Sequence, residues 1–241
     1  MQLESWMSQL PRNGRSISEL ALPGAHNAGA KGVKSLPGLF AGLSCGLTRR
    51  IAGLWSSCQE LSVSELLRKG IRLLDLRLGS HSGEIYICHT VICDVLFTEV
   101  LDEVFAFLES HREEVVLLLV KRDWHRAFDA WPEAQQQILE RLKHQVFGSK
   151  GLTVPLQRLV EDDTRALVLI EMPSQVPEAL DGLRVSGEQL QCSWRPEVRS
   201  VDDMLRQLED WRASGRMKPC RGCLKLMEAG KNGDGERFNG L

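Results

Sequence analysis

Two periodicities alternate along this chain, and each predicts its own kind of element. Glu114 to Val120 (EVVLLLV) and Arg165 to Met172 (RALVLIEM) are apolar on both faces, the pattern of strands buried inside a parallel sheet. Ser16 to Leu22 (SISELAL) reads as a first strand ended by Pro23-Gly24, and Ile71 to Leu78 as a second. Gly79 to Gly83 reads as a turn, followed by a short strand over Ile85 to Cys88. Between these runs the apolar spacing changes to that of helices. Ser62-Val-Ser-Glu65 is a capping box, Val63, Leu66 and Leu67 give the helix after it an apolar face, and Gly70 stops it. Val100, Leu101, Val104, Phe105 and Leu108 predict a helix over Thr98 to Ser110. Pro132 to Phe147 predicts another, with proline in its first turn and Gly148 beyond its end. Leu190 to Trp194 and Gly222 to Met227 read as further strands around a helix over Val201 to Arg212.

Strand–helix alternation with buried strands predicts an α/β protein with a parallel sheet. The count is about seven strands in one domain over residues 1–229, close to a (β/α)₈ barrel but one strand short of closure. A polar, glycine-rich tail covers 230–241 and supplies no eighth strand. The expectation is an incomplete barrel, truncated or open where the chain ends at Leu241.

Composition narrows the classes. The chain has 241 residues, 43% apolar and 26% charged, with a net charge of −2, which excludes disorder and a nucleic-acid binder working by bulk charge. Seven cysteines are an odd number spread unevenly, so a reducing compartment is expected rather than a secreted disulfide scaffold. The first residues have no basic flank or apolar run of a secretory signal. Leu36 to Trp55 is the most membrane-like stretch. Pro37, several glycines and the Arg49–Arg50 pair make it a poor spanning segment, and an apolar loop is the simpler reading.

Unusual polar residues cluster at the expected carboxyl ends of strands: His26 and Asn27, Asp75 and Arg77, His89, Lys121 to Asp123, and Glu171. Barrel enzymes build their sites on that rim. Two imidazoles and a guanidinium suit a phosphodiester. One imidazole takes a proton from an attacking hydroxyl, the other protonates the leaving oxygen, and arginine's fork holds the phosphate. Each residue also has a structural reading: a satisfied histidine, or an Asp75–Arg77 ion pair on one strand face. Cys220-Arg-Gly-Cys223 is half a zinc site with no second ligand pair nearby, and reads as two ordinary thiols. Trp194 and Tyr86 are candidates for stacking on a sugar ring, and Arg49–Arg50 for anionic head groups.

The order of these residues resembles the phosphatidylinositol-specific phospholipase C X domain family. Leu22-Pro-Gly-Ala-His26-Asn27-Ala-Gly29 is similar to that family's LPGTHDSG segment. Cys58-Gln-Glu-Leu-Ser-Val-Ser-Glu-Leu-Leu-Arg-Lys-Gly-Ile-Arg-Leu-Leu-Asp-Leu-Arg77 resembles its CQ…S…QL…GIRYLDLR block. Ile87-Cys-His89 matches its second histidine, and Phe107-Leu-Glu-Ser-His-Arg-Glu-Glu-Val-Val-Leu-Leu its FL..HP.EVVIL run. The resemblance runs over roughly residues 5 to 125.

It implies a distorted TIM barrel that cleaves the phosphodiester of inositol phospholipids at a membrane surface, without nucleic acid or a transmembrane segment. His26 would be general base toward the inositol 2-hydroxyl and His89 general acid toward the diacylglycerol oxygen, with the roles reversed when water opens the cyclic phosphate. Arg77 would neutralise the phosphate, and Asp75 would hold Arg77 or the substrate hydroxyl. Asn27, Lys121, Glu171 and Trp194 would complete substrate binding. Lys121 falls where metal-independent members carry a lysine, so no cofactor is expected. The alternative is calcium, for which Asn27, Asp75 and Glu171 are oxygen donors.

The pattern departs from the family at two places. Asn27 replaces an aspartate, and no last strand brings a carboxylate to His26, a role expected here of Glu171. A protein that binds lipid or phosphoinositide with impaired turnover is therefore the alternative, and a glutamate-rich metal phosphodiesterase fits less well because the rim has few acids. The expected location is cytoplasmic, peripheral at membranes.

Overall fold

The computed structural model describes residues 2–11, 14–36, 51, 53, 57–123, 128–171, 190–198, 206, 209, 210, 213 and 224–231, with 190–198 and 224–231 as backbone alone. Seven strands form one sheet: β1 (Gly24–Ala25), β2 (Leu73–His81), β3 (Glu84–His89), β4 (Val91–Leu96), β5 (Val116–Arg122), β6 (Val146–Phe147) and β7 (Ala166–Glu171). Their order is β4-β3-β2-β5-β7-β6, with β1 beside β2. β8 (Leu190–Val198) and β9 (Leu224–Lys231) pair in parallel as a second sheet. Among the described residues no ladder joins the two sheets, and the barrel is open.

The length of β2 makes it the hub. Its first residues pair in parallel with β1 (Gly24↔Leu73, Ala25↔Leu74), while its last pair with β3 in a hairpin (Leu78↔Ile87 to His81↔Glu84). Its other edge carries β5 in parallel, followed by β7. Three registered rows result: Leu73–Leu117–Leu167, Asp75–Leu119–Leu169 and Arg77–Lys121–Glu171. This face of the sheet changes from apolar at one end to charged at the other.

The alternate residues, Leu74, Leu76, Leu78, Leu118, Val120 and Ile170, belong to the larger core cluster, which they share with helices. These are α1 (Val63–Arg68), α2 (Phe97–Ser110) and α3 (Trp131–Leu142). A fourth helix, α4 (Leu156–Glu161), puts Leu159 with Met7, Ile17 and Leu152 over the apolar end of the first face. The predicted capping box of α1 is formed: Ser62 N–H donates to Glu65 Oε2 at 2.7 Å and Glu65 N–H to Ser62 Oγ at 3.2 Å. Gly70 ends this helix with φ +95°, a conformation that disfavours a side chain.

Several expected elements change. Ser16 to Leu22 is not a strand. The N–H and Oγ of Ser16 both donate to Glu19 Oε2, at 2.9 and 2.8 Å, and this Ser-x-x-Glu cap winds Ile17–Glu19 into a 3₁₀ turn ahead of β1. Gly79 to His81 continue β2, so the turn shrinks to Ser82 and Gly83, both at positive φ. β4, absent from the expected elements, follows β3 after the single residue Thr90, so β2–β3–β4 is an antiparallel meander on an otherwise parallel sheet. The helix expected to reach Phe147 stops at Leu142, where Lys143 takes φ +53° and a 3₁₀ turn leads into β6. β9 runs to Lys231, past the expected start of the tail. Most of 201–212, most of the Leu36–Trp55 stretch including Arg49–Arg50, and Cys220, Cys223 and 232–241 lie outside the described residues.

At the apolar end a buried ion pair closes the structure. Arg72 and Glu114 side chains are 0% and 1% exposed, and Arg72 Nη2 lies 2.7 Å from Glu114 Oε2. The guanidinium also donates to the carbonyls of Leu67, Ile71 and Glu4 and packs over the Phe107 ring, while Glu114 Oε1 accepts the Ser8 N–H. The pair thus links the N-terminal segment, α1, α2 and β5. Removing one member strands a desolvated charge, so Glu114→Ala is expected to lower unfolding free energy by about 3–5 kcal/mol in urea denaturation. A loss below about 1 kcal/mol, the range of a surface pair, would contradict this role.

Candidate active site

The charged rows of the sheet place the site. His26 follows Ala25, whose partner is Leu74, so the imidazole stands level with Asp75. Its Nδ1 lies 2.7 Å from Asp75 Oδ2. Arg77 Nη2 lies 3.4 Å from His26 Nε2, and because a guanidinium only donates, Nε2 is the acceptor and the ring proton sits on Nδ1, facing Asp75. Lys121, in register with Arg77, reaches Asp75 Oδ1 at 3.4 Å and Glu171 Oε2 at 3.8 Å.

His89 arrives by a different route. The β2–β3 hairpin pairs Leu78 with Ile87, so the last residues of β3 run back toward the level of Arg77. There Cys58 Sγ lies 3.2 Å from His89 Nδ1 and accepts from Asn27 Nδ2 at 3.6 Å. Cys58 therefore bridges the residue after the first histidine to the second histidine. The next residue, Gln59, donates from Nε2 to the His26 carbonyl at 2.9 Å, and the N–H groups of Cys58 and Gln59 both donate to the Ala30 carbonyl. The segment 58–59 clips the His26 loop in place.

Electrostatics follow from burial. Desolvation alone would raise the Asp75 carboxyl. The hydrogen bond from His26 and the charges of Lys121 and Arg77 outweigh it and hold the carboxyl below its ordinary value of 3.8. For Cys58 the balance is reversed: crowding by the protein pushes the thiol up, against the opposing Asn27 hydrogen bond and Arg77 charge. Cys58 therefore meets His89 as a neutral thiol.

Of the oxygen donors expected for calcium, Asp75 and Glu171 share the Lys121 ammonium, and Asn27 Oδ1 is buried without a hydrogen bond. The ammonium lies 3.4 Å from Asp75 Oδ1 and 3.8 Å from Glu171 Oε2, and it is the Asn27 amide nitrogen that faces Cys58. Among the described residues no group of three His, Cys, Asp or Glu side chains forms a metal site.

The family model described as PI-PLC X matches residues 51–181, more than half of the chain. The chain belongs to the PI-PLC X family. A PI-PLC X domain-containing protein 1 of Homo sapiens is 31% identical over 195 residues, covering 72% of this chain and 58% of its own. A variant-surface-glycoprotein phospholipase C of Trypanosoma brucei brucei is 27% identical over 229 residues, 86% of this chain and 62% of its own. The chain thus spans 58% to 62% of the length of these two relatives. Among solved structures, the phosphatidylinositol-specific phospholipase C from Listeria monocytogenes has TM-score 0.65 at 17% identity, covering 94% of this chain and 78% of its own. That of S. aureus has TM-score 0.65 at 15% identity, covering 99% and 81%. At these identities the likeness concerns the fold: a distorted PI-PLC TIM barrel, left open among the described residues.

Within this PI-PLC X chain, His26, Asp75, Arg77, Lys121 and Glu171 form one connected group, and Asn27 and His89 meet through Cys58. Glu171 does not support His26. It ends β7 in register with Lys121 and pairs with that ammonium, and Asp75 supplies the carboxylate at His26 instead. Trp194 lies on β8 in register with Glu228. Tyr86 sits on β3 under the Lys34 ammonium, 5.9 Å from the ring centroid. Cys58 and Gln59 were not among the expected site residues, although both stand in the quoted motif; their signal is proximity to both histidines, which only the fold creates. No helix among the described residues is long and apolar enough to cross a membrane.

A carboxyl held below its ordinary value stabilises the fold above the unfolded value, and that contribution is lost as pH falls through the folded one. Asp75→Asn is therefore expected to lose less melting temperature than wild type when pH is lowered from 7 through 4 and below, measured by thermal unfolding. Parallel curves for the two proteins would show that Asp75 is not held this way.

Proposed function

We propose that this chain is a phosphoric diester hydrolase that cleaves inositol phospholipids without a metal, His26 acting as general base and His89 as general acid. The observation that carries the reading is the His26 ring, whose Nδ1 faces Asp75 at 2.7 Å while its Nε2 lone pair stands beside the Arg77 guanidinium. An imidazole in that tautomer accepts a proton at Nε2, and the buried carboxylate stabilises the imidazolium that forms. Arg77 brings the substrate phosphate to the same place.

In the first step Nε2 of His26 takes the proton of the inositol 2-hydroxyl as its oxygen attacks phosphorus. His89 gives its proton to the diacylglycerol oxygen as the phosphorus–oxygen bond breaks. Water then opens the cyclic phosphate, with His89 taking the proton and His26 returning one to the 2-oxygen. Arg77 and Lys121 offset the charge on the phosphate oxygens through both steps. Membership of the PI-PLC X family and the phospholipase C relatives support the substrate class. The two cations among the rim acids support the metal-free route. The lipid is expected at a membrane surface, reached from the cytoplasmic side.

Hydrolysis of phosphatidylinositol in vesicles, with and without a calcium chelator, tests this. Wild type is expected to turn over with chelator present, and His26→Ala and His89→Ala to lose about 10²–10⁴-fold in kcat. Turnover no greater than that of His26→Ala would overturn the enzyme reading, and vesicle binding without turnover would install the lipid-binding alternative in its place. Turnover abolished by chelator would overturn the metal-free assignment.

A further inference from the structure

Both histidines are followed by a non-glycine residue in the left-handed region: Asn27 at φ +50° and Thr90 at φ +64°. Asparagine tolerates that region, because its short amide bonds locally. Threonine does not. A β-branched residue there is a genuine outlier and persists only where its surroundings impose it. Thr90 is the single residue between β3 and β4, at a reversal so tight that His89 pairs with Val91. Its side chain is exposed, so core packing does not impose the conformation.

What holds the turn comes from another strand. Asp123, directly after β5 and 1% exposed, accepts the Thr90 N–H on Oδ2 at 3.1 Å. The Asp123 N–H donates to the Leu78 carbonyl of β2 at 3.3 Å. The turn carrying His89 is thereby tied to the same two strands that carry Asp75, Arg77 and Lys121.

We infer that Thr90 and Asp123 are positioning residues, a strained turn and its buried brace that fix His89 against the rest of the site. The consequence for catalysis rests on the hydrolase reading above; the geometric consequence for His89 does not. A left-handed residue after His89 and a fixed N–H leave the backbone of the histidine one orientation. Small misplacements of a proton donor cost as much as ~10²-fold in rate.

Three full-length single variants and the Thr90→Gly/Asp123→Ala double variant decide it, assayed on phosphatidylinositol vesicles and by thermal unfolding. Thr90→Asn adopts the same φ more easily and is expected to melt at or above wild type with kcat within about twofold. Thr90→Gly accepts that φ but does not hold it, and is expected to keep its KM and melting temperature while kcat falls about tenfold. Asp123→Ala removes the acceptor and is expected to show the same kcat loss, the double variant being no worse than either single one. Wild-type kcat in Thr90→Gly would overturn the inference, as would a loss that tracks melting temperature across the set. The His89 ring signals in nitrogen–proton correlation spectra give a readout without turnover: they should move and broaden in Thr90→Gly and stay in place in Thr90→Asn. Unmoved signals in Thr90→Gly overturn the brace. Absence of wild-type turnover with signals that do move overturns the hydrolase reading alone.

Discussion

A carboxylate that water hardly reaches has to be met by positive charge, and Asp75 is such a group. It sits in the middle row of a strand face whose other members in that row are Leu119 and Leu169. Left alone there it would protonate or unfold its surroundings. His26 on one oxygen and Lys121 on the other keep it ionised, with Arg77 adding its field. Meeting this single requirement draws β1, β2 and β5 together at one level, sets the His26 tautomer and leaves Glu171 to balance Lys121.

The register of the sheet turns that demand into geometry. In parallel strands, partners in register point to the same face, so rows of side chains are built automatically. One face runs from leucine to charge in three rows, and the buried Arg72–Glu114 pair closes the apolar end. His89 cannot be delivered by a parallel strand, because no helix separates β2 from β3. The β2–β3 hairpin projects beyond the rim and returns, which is why its histidine arrives level with residues early in β2's charged half.

How much of this could be read from the residues depended on whether the cause was local. Buried strands β5 and β7, the capped helix α1 and the polar residues that end the strands are local patterns, and they are where hydrophobic period and capping residues place them. The apolar alternation of SISELAL reads as a strand, yet the same letters hold a Ser-x-x-Glu capping box, and the cap prevails. β4 carries no such local signal, because only Thr90 parts VICDVL from His89 and a threonine does not read as a turn residue. Whether Glu171 or Asp75 supplies the carboxylate at His26 depends on register: β1 pairs with β2 so that His26 falls level with Asp75, and nothing in the letters fixes that offset. The bridge through Cys58 has the same origin, a contact between residues 31 apart on both sides.

Charge counting bears on the proposed phosphodiester substrate and the near-neutral rim. Arg77 and Lys121 contribute two positive charges and Asp75 and Glu171 two negative, so the group is neutral while both imidazoles are neutral. A bound phosphodiester brings one negative charge into a site already partly desolvated, where an unbalanced charge is costly. One protonated imidazole restores the balance. His26 is held with its proton on the Asp75 side and its lone pair toward Arg77, and is therefore the ring set to accept; the proton that balances the substrate belongs on His89, the ring proposed to donate it. Substrate charge and the proposed order of proton transfers thus require the same protonation state, and that state needs no net charge elsewhere on the molecule.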